Sequence, residues 1–178
     1  IHDPVWGTIK FNSWELQILD SPLLQRLRNI NQLGLAVLTY PSAHHSRFEH
    51  TLGVTSLVTK MADSINDSHT VGSEMPMSRS DINKMRLAAI LHDVGHCFFS
   101  HLSERMYSNT EEFAVLKSTF EIFQKAQPHE ILGYIIINTP SFKKFFMSQV
   151  KYPERVNEGT FFDDLGRMIV GAYIDEVY

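Results

Sequence analysis

The sequence predicts an all-α fold, a bundle of several helices with at most a short β element near the N-terminus. Apolar residues recur at the three- and four-residue spacing of a helix face in several segments. Helix-start signals, a capping residue or a proline at the first helical position, precede many of these segments. No run of alternating strands that would build a sheet is present, which excludes the mixed and all-β classes.

The first third of the chain predicts one short strand and two helices. Pro4 and Gly7 indicate a turn before a brief alternation of apolar and polar residues. Ser13 is a candidate helix cap, and Ser21 followed by Pro22 is a stronger start signal. The predicted elements are a turn and short strand within 1–11, a helix over 14–19, and a helix over 23–30 whose polar face, with Arg26 and Arg28, is expected to be solvated.

The middle of the chain predicts two longer helices. The apolar segment 32–40 is expected to be extended or looped. Arg47 opens a helix that runs to about Ile65, and Ser80 with Asp81 is expected to cap a central helix that ends near Leu91. The elements expected elsewhere are a linker over 67–79, partly helical structure over 109–127, a helix over 131–138 that Pro128-His129-Glu130 begins, a helix over 140–150 that Pro140 begins, a loop over 151–158 and a last helix over 160–173.

Composition limits the class of protein. The chain has 178 residues, of which 43% are hydrophobic, so we expect a single helical domain over 1–178. It stops in mid-pattern at both ends, which predicts a fragment of a longer chain whose C-terminal part is absent. A net charge of −4 gives no basic field that attracts nucleic acid. One cysteine, Cys97, fits a reducing, cytoplasmic location, and no apolar run approaches the roughly 20 residues of a membrane span.

The segment from Leu87 to His101 carries the chemistry. An apolar helical run leads directly into His92 and Asp93, and His96 and His101 follow within ten positions. Burying such groups costs free energy unless they are paired or bind something. Imidazole beside carboxylate oxygen suits a divalent ion such as Fe, Mn, Zn, Co, Ni or Mg. Such an ion lowers the pKa of bound water from 15.7 toward about 7, which favours hydrolysis of phosphate esters or anhydrides.

Four linked motifs together resemble a known family. They are Asp3-Pro4-Val5-Trp6-Gly7, the run from Asp20-Ser21-Pro22 to Gln32-Leu33-Gly34, the segment Arg47-Phe48-Glu49-His50-Thr51-Leu52-Gly53-Val54, and His92-Asp93-Val94-Gly95-His96 with Phe99-Ser100-His101. In this order they resemble the HD-domain metal-dependent phosphohydrolases, and within them the deoxynucleoside triphosphate triphosphohydrolases.

The resemblance implies a metal site. His50, His92 and Asp93 match the family's metal ligands. Its fourth ligand is an aspartate in an Asp-x-Asp-Lys-x-Asp-Tyr stretch on a late helix, and no such stretch occurs in this sequence. The surroundings of Asp175 do not match, so we expect the fourth ligand to lie past Tyr178.

The resemblance also implies roles around the substrate. His96 and His129 match catalytic histidines beside the scissile phosphate, and Glu104 stands where the subgroup has an aspartate that orients a histidine. A helix-start histidine and a surface acid remain the alternatives for His129 and Glu104. The residues that match phosphate, sugar and regulatory-nucleotide contacts are Arg47 and His101, Gln32, and Asp20, Gln25 and Arg28.

The resemblance therefore implies an enzyme that hydrolyses deoxynucleoside triphosphates to nucleoside and inorganic triphosphate. A nucleotide substrate, a regulatory nucleotide and a homo-oligomer are the expected partners. Two alternatives stay open at this stage. One is a nucleoside monophosphate phosphatase or cyclic-nucleotide phosphodiesterase with the same site, and the other is a non-catalytic nucleotide-binding HD scaffold.

Overall fold

A computed structural model describes residues 1–68 and 77–172. Helices dominate these residues, as the sequence predicts, and the all-α class is confirmed. The sheet within them is a single antiparallel pair near the N-terminus, β1 (His2–Asp3) and β2 (Gly7–Thr8). The short β element that the sequence allowed is therefore present.

Nine α-helices lie within the described residues, and none of them is long and apolar enough to cross a bilayer. Their bounds are α1 (Ser13–Leu19), α2 (Pro22–Gln25), α3 (Arg47–Asp67), α4 (Arg79–Leu91), α5 (His101–Tyr107), α6 (Glu111–Thr119), α7 (Pro128–Asn138), α8 (Pro140–Gln149) and α9 (Phe161–Ile169). Three 3-10 helices accompany them, at Arg26–Asn29, Gly34–Leu38 and Glu121–Phe123.

The core forms around α4. This helix packs against α3 and α9, and α7 in turn packs against α9. Leu87, Ile90 and Leu91 of α4 are fully buried. Because apolar side chains surround α4 on several sides, its C-terminal end, where His92 and Asp93 follow, is held inside the bundle rather than on its surface.

A buried ion pair ties α4 to α1. The Arg86 guanidinium donates from Nε to Glu15 Oε1 at 2.5 Å and from Nη2 to Glu15 Oε2 at 2.9 Å. Nη2 also donates to the carbonyl of Lys10 at 3.2 Å. Since both charges of a buried pair need partners, this arrangement fixes where α4 lies along α1.

Two predicted caps are wrong by one or two residues. Asn12, not Ser13, precedes α1, and its N–H donates to Glu15 at 2.6 Å. Ser78, not Ser80, caps α4, and its hydroxyl accepts from the Asp81 N–H at 3.1 Å. In both helices the carboxylate three residues after the cap accepts a hydrogen bond from the backbone N–H of the cap residue. This pairing favours that residue as the cap over its neighbours.

Two segments differ from their predicted structure for a packing reason. The predicted helix over 23–30 divides into α2 and the 3-10 helix Arg26–Asn29. Leu24, Leu27 and Ile30 are all buried, and a 3-10 helix places residues spaced by three on one side. The segment 32–40, expected to be extended or looped, contains the 3-10 helix Gly34–Leu38.

Other boundaries also differ from the predictions. Helix α5 was not predicted, and α6 is the helical part of 109–127. Helix α7 begins at Pro128, in the predicted start signal, whereas α8 ends at Gln149 and α9 ends at Ile169. Residues 69–76 of the predicted linker and residue 173 of the predicted last helix lie outside the described residues.

Phe162→Ala is expected to lower the free energy of unfolding by about 3–5 kcal/mol, because it leaves a cavity in the core. The Phe162 ring contacts those of Phe142, Phe146 and Phe161. Chemical denaturation measures the loss. Phe98→Ala is the matched control, since that ring is 75% exposed. An equal loss in both variants would contradict the assigned core.

Candidate metal centre and active site

Helices α3 and α4 bring together the three residues predicted to bind metal. His50 lies in the first turns of α3, and His92 and Asp93 follow the last residue of α4. The two Nε2 atoms of His50 and His92 are 3.4 Å apart, and His92 Nε2 is 3.3 Å from Asp93 Oδ1. One ligand atom from each residue lies within 4.8 Å of the other two.

This donor set fits a divalent ion. The contact of 2.7 Å between His92 Nδ1 and the Ala89 carbonyl requires Nδ1 to carry the proton, which leaves the Nε2 lone pair facing His50 and Asp93. Burial lowers the pKa of His50, with the Asp93 charge acting in the opposite direction. A metal ligand must be a neutral imidazole or a carboxylate, so both histidine orientation and protonation favour binding.

Arg47 holds the carboxylate of this group. Its Nη1 donates to Asp93 Oδ2 at 2.8 Å, and both side chains are almost fully buried. Burial alone raises the pKa of Asp93, but the hydrogen bond from His96 and the charges of His92 and Arg47 together hold that pKa well below its usual value. Asp93 is therefore ionised, with Oδ1 turned toward the two histidines.

The other side of Arg47 holds the loop before α5. Nε donates to Ser100 Oγ at 3.1 Å, Nη2 donates to the same oxygen, and that hydroxyl donates to the Gln32 carbonyl at 3.2 Å. Phe99 and Ser100 have φ values of 61° and 55°, in the left-handed region that costs such residues about 1–3 kcal/mol each. The hydrogen bonds through Ser100 hold this strained backbone in place.

A second group of side chains surrounds Glu104 of α5. Its Oε1 lies 2.9 Å from His96 Nδ1, 3.1 Å from His101 Nδ1 and 3.0 Å from His129 Nδ1. The rings of His96 and His129 stack with centroids 3.8 Å apart. Glu104 is only 6% exposed, so the alternative of a surface acid is wrong. Nδ1 of His96 and of His129 and Oε1 of Glu104 are buried without a well-directed hydrogen bond.

Burial favours the neutral form of two imidazoles in this second group, His96 and His129. Burial lowers the pKa of His129 to about 4, and the nearby His96 charge acts in the same direction. Burial also lowers the pKa of His96, against the effect of Asp93. His96 connects the two groups, since its Nε2 lies 3.4 Å from Asp93 Oδ1 while its Nδ1 faces Glu104.

His101 and Gln32 lie at the open side of the site. The His101 side chain is 66% exposed, and its Nε2 lies 3.4 Å from Arg47 Nη2. Together with Phe99 and Leu33, these two residues line a groove of about 220 Å³. Two of the three predicted substrate contacts, Gln32 and His101, thus line one groove, whereas the third, Arg47, is buried against Asp93 and Ser100.

The residues predicted to contact a regulatory nucleotide lie elsewhere. Asp20 is exposed at the end of α1. Gln25 accepts from Arg28 Nε at 2.8 Å, and the Arg28 guanidinium lies 3.9 Å from the centroid of the Phe48 ring. Gln25 and Arg28 thus form one local group, outside the set that contacts Asp93 or Glu104.

The sequence analysis assigned no role at the site to two residues that the structure places there, Arg26 and Ser100. Arg26 was expected on a solvated face, but its Nη1 donates to the His96 carbonyl at 2.6 Å and its Nη2 donates to the Val94 carbonyl. Ser100 carried a signal only as part of the Phe99-Ser100-His101 motif. Asp175, which we do not count as a ligand, lies outside the described residues.

Comparison with known families agrees with this geometry. The profile of the HD domain matches residues 47–146, which include His50, His92, Asp93 and the Glu104 group. The chain belongs to the HD domain family. HD domains are metal-dependent phosphohydrolases, and the two convergent groups described above lie within the matched segment.

Individual relatives share the HD domain with this chain. An uncharacterized protein of Methanocaldococcus jannaschii is 43% identical over 104 residues, 58% of this chain and 20% of that protein. The deoxynucleoside triphosphate triphosphohydrolase SAMHD1 is 39% identical over 102 residues in Bos taurus and 37% identical over 102 residues in Homo sapiens. Each match covers 57% of this chain, and 17% and 16% of the relative. The chain thus spans a fifth or less of these relatives.

Lowering the pH from about 6.5 to about 4 is expected to destabilise the metal-free protein through His129. Unfolded histidine titrates near 6.5, whereas burial lowers the pKa of His129 to about 4 in the folded HD domain. Between these values the unfolded chain binds a proton that the folded chain does not, so the free energy of unfolding falls as the pH falls. Urea denaturation at a series of pH values measures the slope.

His129→Asn is expected to make that slope shallower. His44→Asn changes an exposed loop residue and is the matched control. Equal slopes in the wild type and in both variants would show that His129 is not the group responsible.

Proposed function

We propose that this chain carries the active site of a phosphohydrolase that converts deoxynucleoside triphosphates to deoxynucleosides and inorganic triphosphate. One observation supports the site above all: His50, His92 and Asp93 converge within 4.8 Å beside a second group, made of the buried His96, Glu104 and His129 and the exposed His101. The relatives named as deoxynucleoside triphosphate triphosphohydrolases support the substrate.

In this proposal His50, His92 and Asp93 hold a divalent ion. When bound, such an ion supplies Lewis acidity and lowers the pKa of a water molecule toward about 7. Arg47 keeps Asp93 ionised and oriented through the 2.8 Å contact between their side chains. Arg47 is buried and hydrogen-bonded to Asp93 and Ser100, so it holds both residues in position. Its guanidinium also contributes positive charge to the phosphate site.

The side chains around Glu104 carry out the proton transfer. Attack of water on the α-phosphorus forms a P–O bond and breaks the bond to the 5′ oxygen, which must gain a proton as it leaves. His96 and His129 stack side by side, and these neutral imidazoles accept the proton released by the attacking water and pass it to the 5′ oxygen. Glu104 orients both rings through their Nδ1 atoms, while Gln32 and the exposed His101 are placed to contact sugar and phosphate.

Purified whole protein supplied with Mn²⁺, Fe²⁺, Co²⁺ or Mg²⁺ is expected to release inorganic triphosphate from deoxynucleoside triphosphates. Asp93→Ala is expected to abolish both turnover and bound metal, because it removes a ligand and leaves the Arg47 charge buried and unpaired. Triphosphate release and metal content by mass spectrometry are the measurements. Asp63→Ala, on α3 away from the site, is the control.

Two outcomes would redirect the proposal. Release of phosphate from monophosphates or opening of cyclic nucleotides, without triphosphate release, would assign a nucleotidase or phosphodiesterase. Nucleotide binding without bound metal and without turnover would assign a scaffold.

We further propose that Asp20, Gln25 and Arg28 contact a regulatory nucleotide at a subunit interface. The support is the hydrogen bond that pairs the exposed Arg28 with the half-buried Gln25, and the exposure of Asp20 at the end of α1. GTP or dGTP is expected to increase the mass of the whole protein in light scattering, because bound nucleotide stabilises the assembled state. Arg28→Ala is expected to weaken that increase. A mass that is independent of nucleotide in the wild type would count against this role.

A further inference from the structure

The three-residue loop Val94–His96 joins the metal-ligand group to the group of histidines around Glu104. Asp93 precedes it and His96 ends it. Arg26, on the 3-10 helix Arg26–Asn29, donates from Nη1 to the His96 carbonyl at 2.6 Å and from Nη2 to the Val94 carbonyl. One guanidinium therefore holds the backbone on both sides of Gly95.

The opposite side of the same loop packs on the backbone of α7. A Cβ added to Gly95 would lie 1.8 Å from the His129 carbonyl oxygen and 2.6 Å from the Gly133 nitrogen. No side chain fits there, so the loop lies directly between α7 and the Arg26 guanidinium. His129, the partner of His96, starts that helix.

Arginine suits this position for a chemical reason. Its planar guanidinium presents several donors in a fixed fork, so one side chain reaches two carbonyls that point the same way. Val94 and His96 are buried, and their carbonyls need donors that water does not supply. Lysine offers a compact ammonium that does not reproduce the fork.

We propose that Arg26 is a positioning residue: it presses the Val94–His96 loop against α7 and thereby sets His96 against His129. This inference rests on the proposed function, in which those two imidazoles transfer the proton. It assigns Arg26 no contact with substrate. The stacked rings, with centroids 3.8 Å apart, are the geometry that Arg26 maintains.

Other contacts hold the three residues of the metal-ligand group, although His96 also lies 3.4 Å from Asp93 Oδ1. His50 lies on α3, and His92 follows α4 with its ring fixed by the Ala89 carbonyl. Asp93 is held by Arg47. Loss of the Arg26 hydrogen bonds should therefore disturb His96 while leaving metal binding intact, which separates positioning from general unfolding.

The test compares Arg26→Lys with wild type in the whole, metal-loaded protein. We expect unchanged metal content, a fall in kcat of about 10²-fold with KM nearly unchanged, and faster hydrogen exchange of the amides of 94–96. A displacement of about 1 Å at a reacting group costs about that factor. A loss confined to kcat indicates an interaction made only in the transition state.

Arg86→Lys is the matched control. Like the half-buried Arg26, the buried Arg86 donates to several partners, but these are Glu15 and the Lys10 carbonyl instead of the loop. It is expected to lower thermal stability, keep kcat within about twofold of wild type, and leave exchange at 94–96 unchanged.

Cleavage of bis(4-nitrophenyl) phosphate is measured beside deoxynucleoside triphosphate turnover, so that the two proposals fail in different ways. If wild type cleaves only the synthetic diester, the natural substrate is wrong and the Arg26 comparison is made on the diester. If wild type cleaves either and Arg26→Lys matches it in rate and exchange, the Arg26 inference is overturned. Loss of metal and a global rise in exchange in Arg26→Lys would also overturn it, since the role would then be structural.

Discussion

The site depends on one buried ion pair, Arg47 with Asp93. A buried pair stabilises a fold only when both charges have their remaining hydrogen-bonding groups satisfied. Here Arg47 also binds Ser100, and Ser100 binds the Gln32 carbonyl, so one guanidinium joins the start of α3, the end of α4 and the loop before α5. Asp93 uses Oδ2 for this pair and keeps Oδ1 for the histidines. The same contact thus fixes three backbone segments and the charge of a metal ligand.

Local signals explain which parts of the fold the sequence could predict. Proline starts identified α2, α7 and α8, because that signal acts within one turn, and a long apolar face identified α3. The caps at Ser13 and Ser80 were wrong since several neighbouring residues have capping chemistry. The 3-10 helix Arg26–Asn29 and helix α5 follow from tertiary packing, and spacing by three or four in so short a segment does not distinguish them from other structures.

The candidate site shows a different limit of prediction from sequence. Spacing alone placed His92, Asp93 and His96 together, since they lie within five residues at a helix end. It gave no reason to join His50, 42 residues earlier, to His92, and the resemblance supplied that link. Arg26 lies 70 residues from His96, and an arginine on an amphipathic segment looks the same in sequence whether it faces water or a buried carbonyl. Such contacts are set by how the helices pack.

The loop Val94–His96 is constrained because it joins the metal-ligand group to the group around Glu104. Asp93 Oδ1 faces His92 on one side and His96 on the other, at 3.3 and 3.4 Å, so the proposed metal-ligand group and the group around Glu104 meet at one carboxylate oxygen. Only two residues, Val94 and Gly95, separate that aspartate from His96 in the chain. A loop this short has few conformations, but a rotation at Gly95 would still move the His96 ring away from His129, because glycine restricts its own dihedrals least. Contacts on both faces, Arg26 on one and the α7 backbone on the other, remove that freedom. The glycine is required for the close approach to α7, and the arginine offsets the flexibility that the glycine introduces.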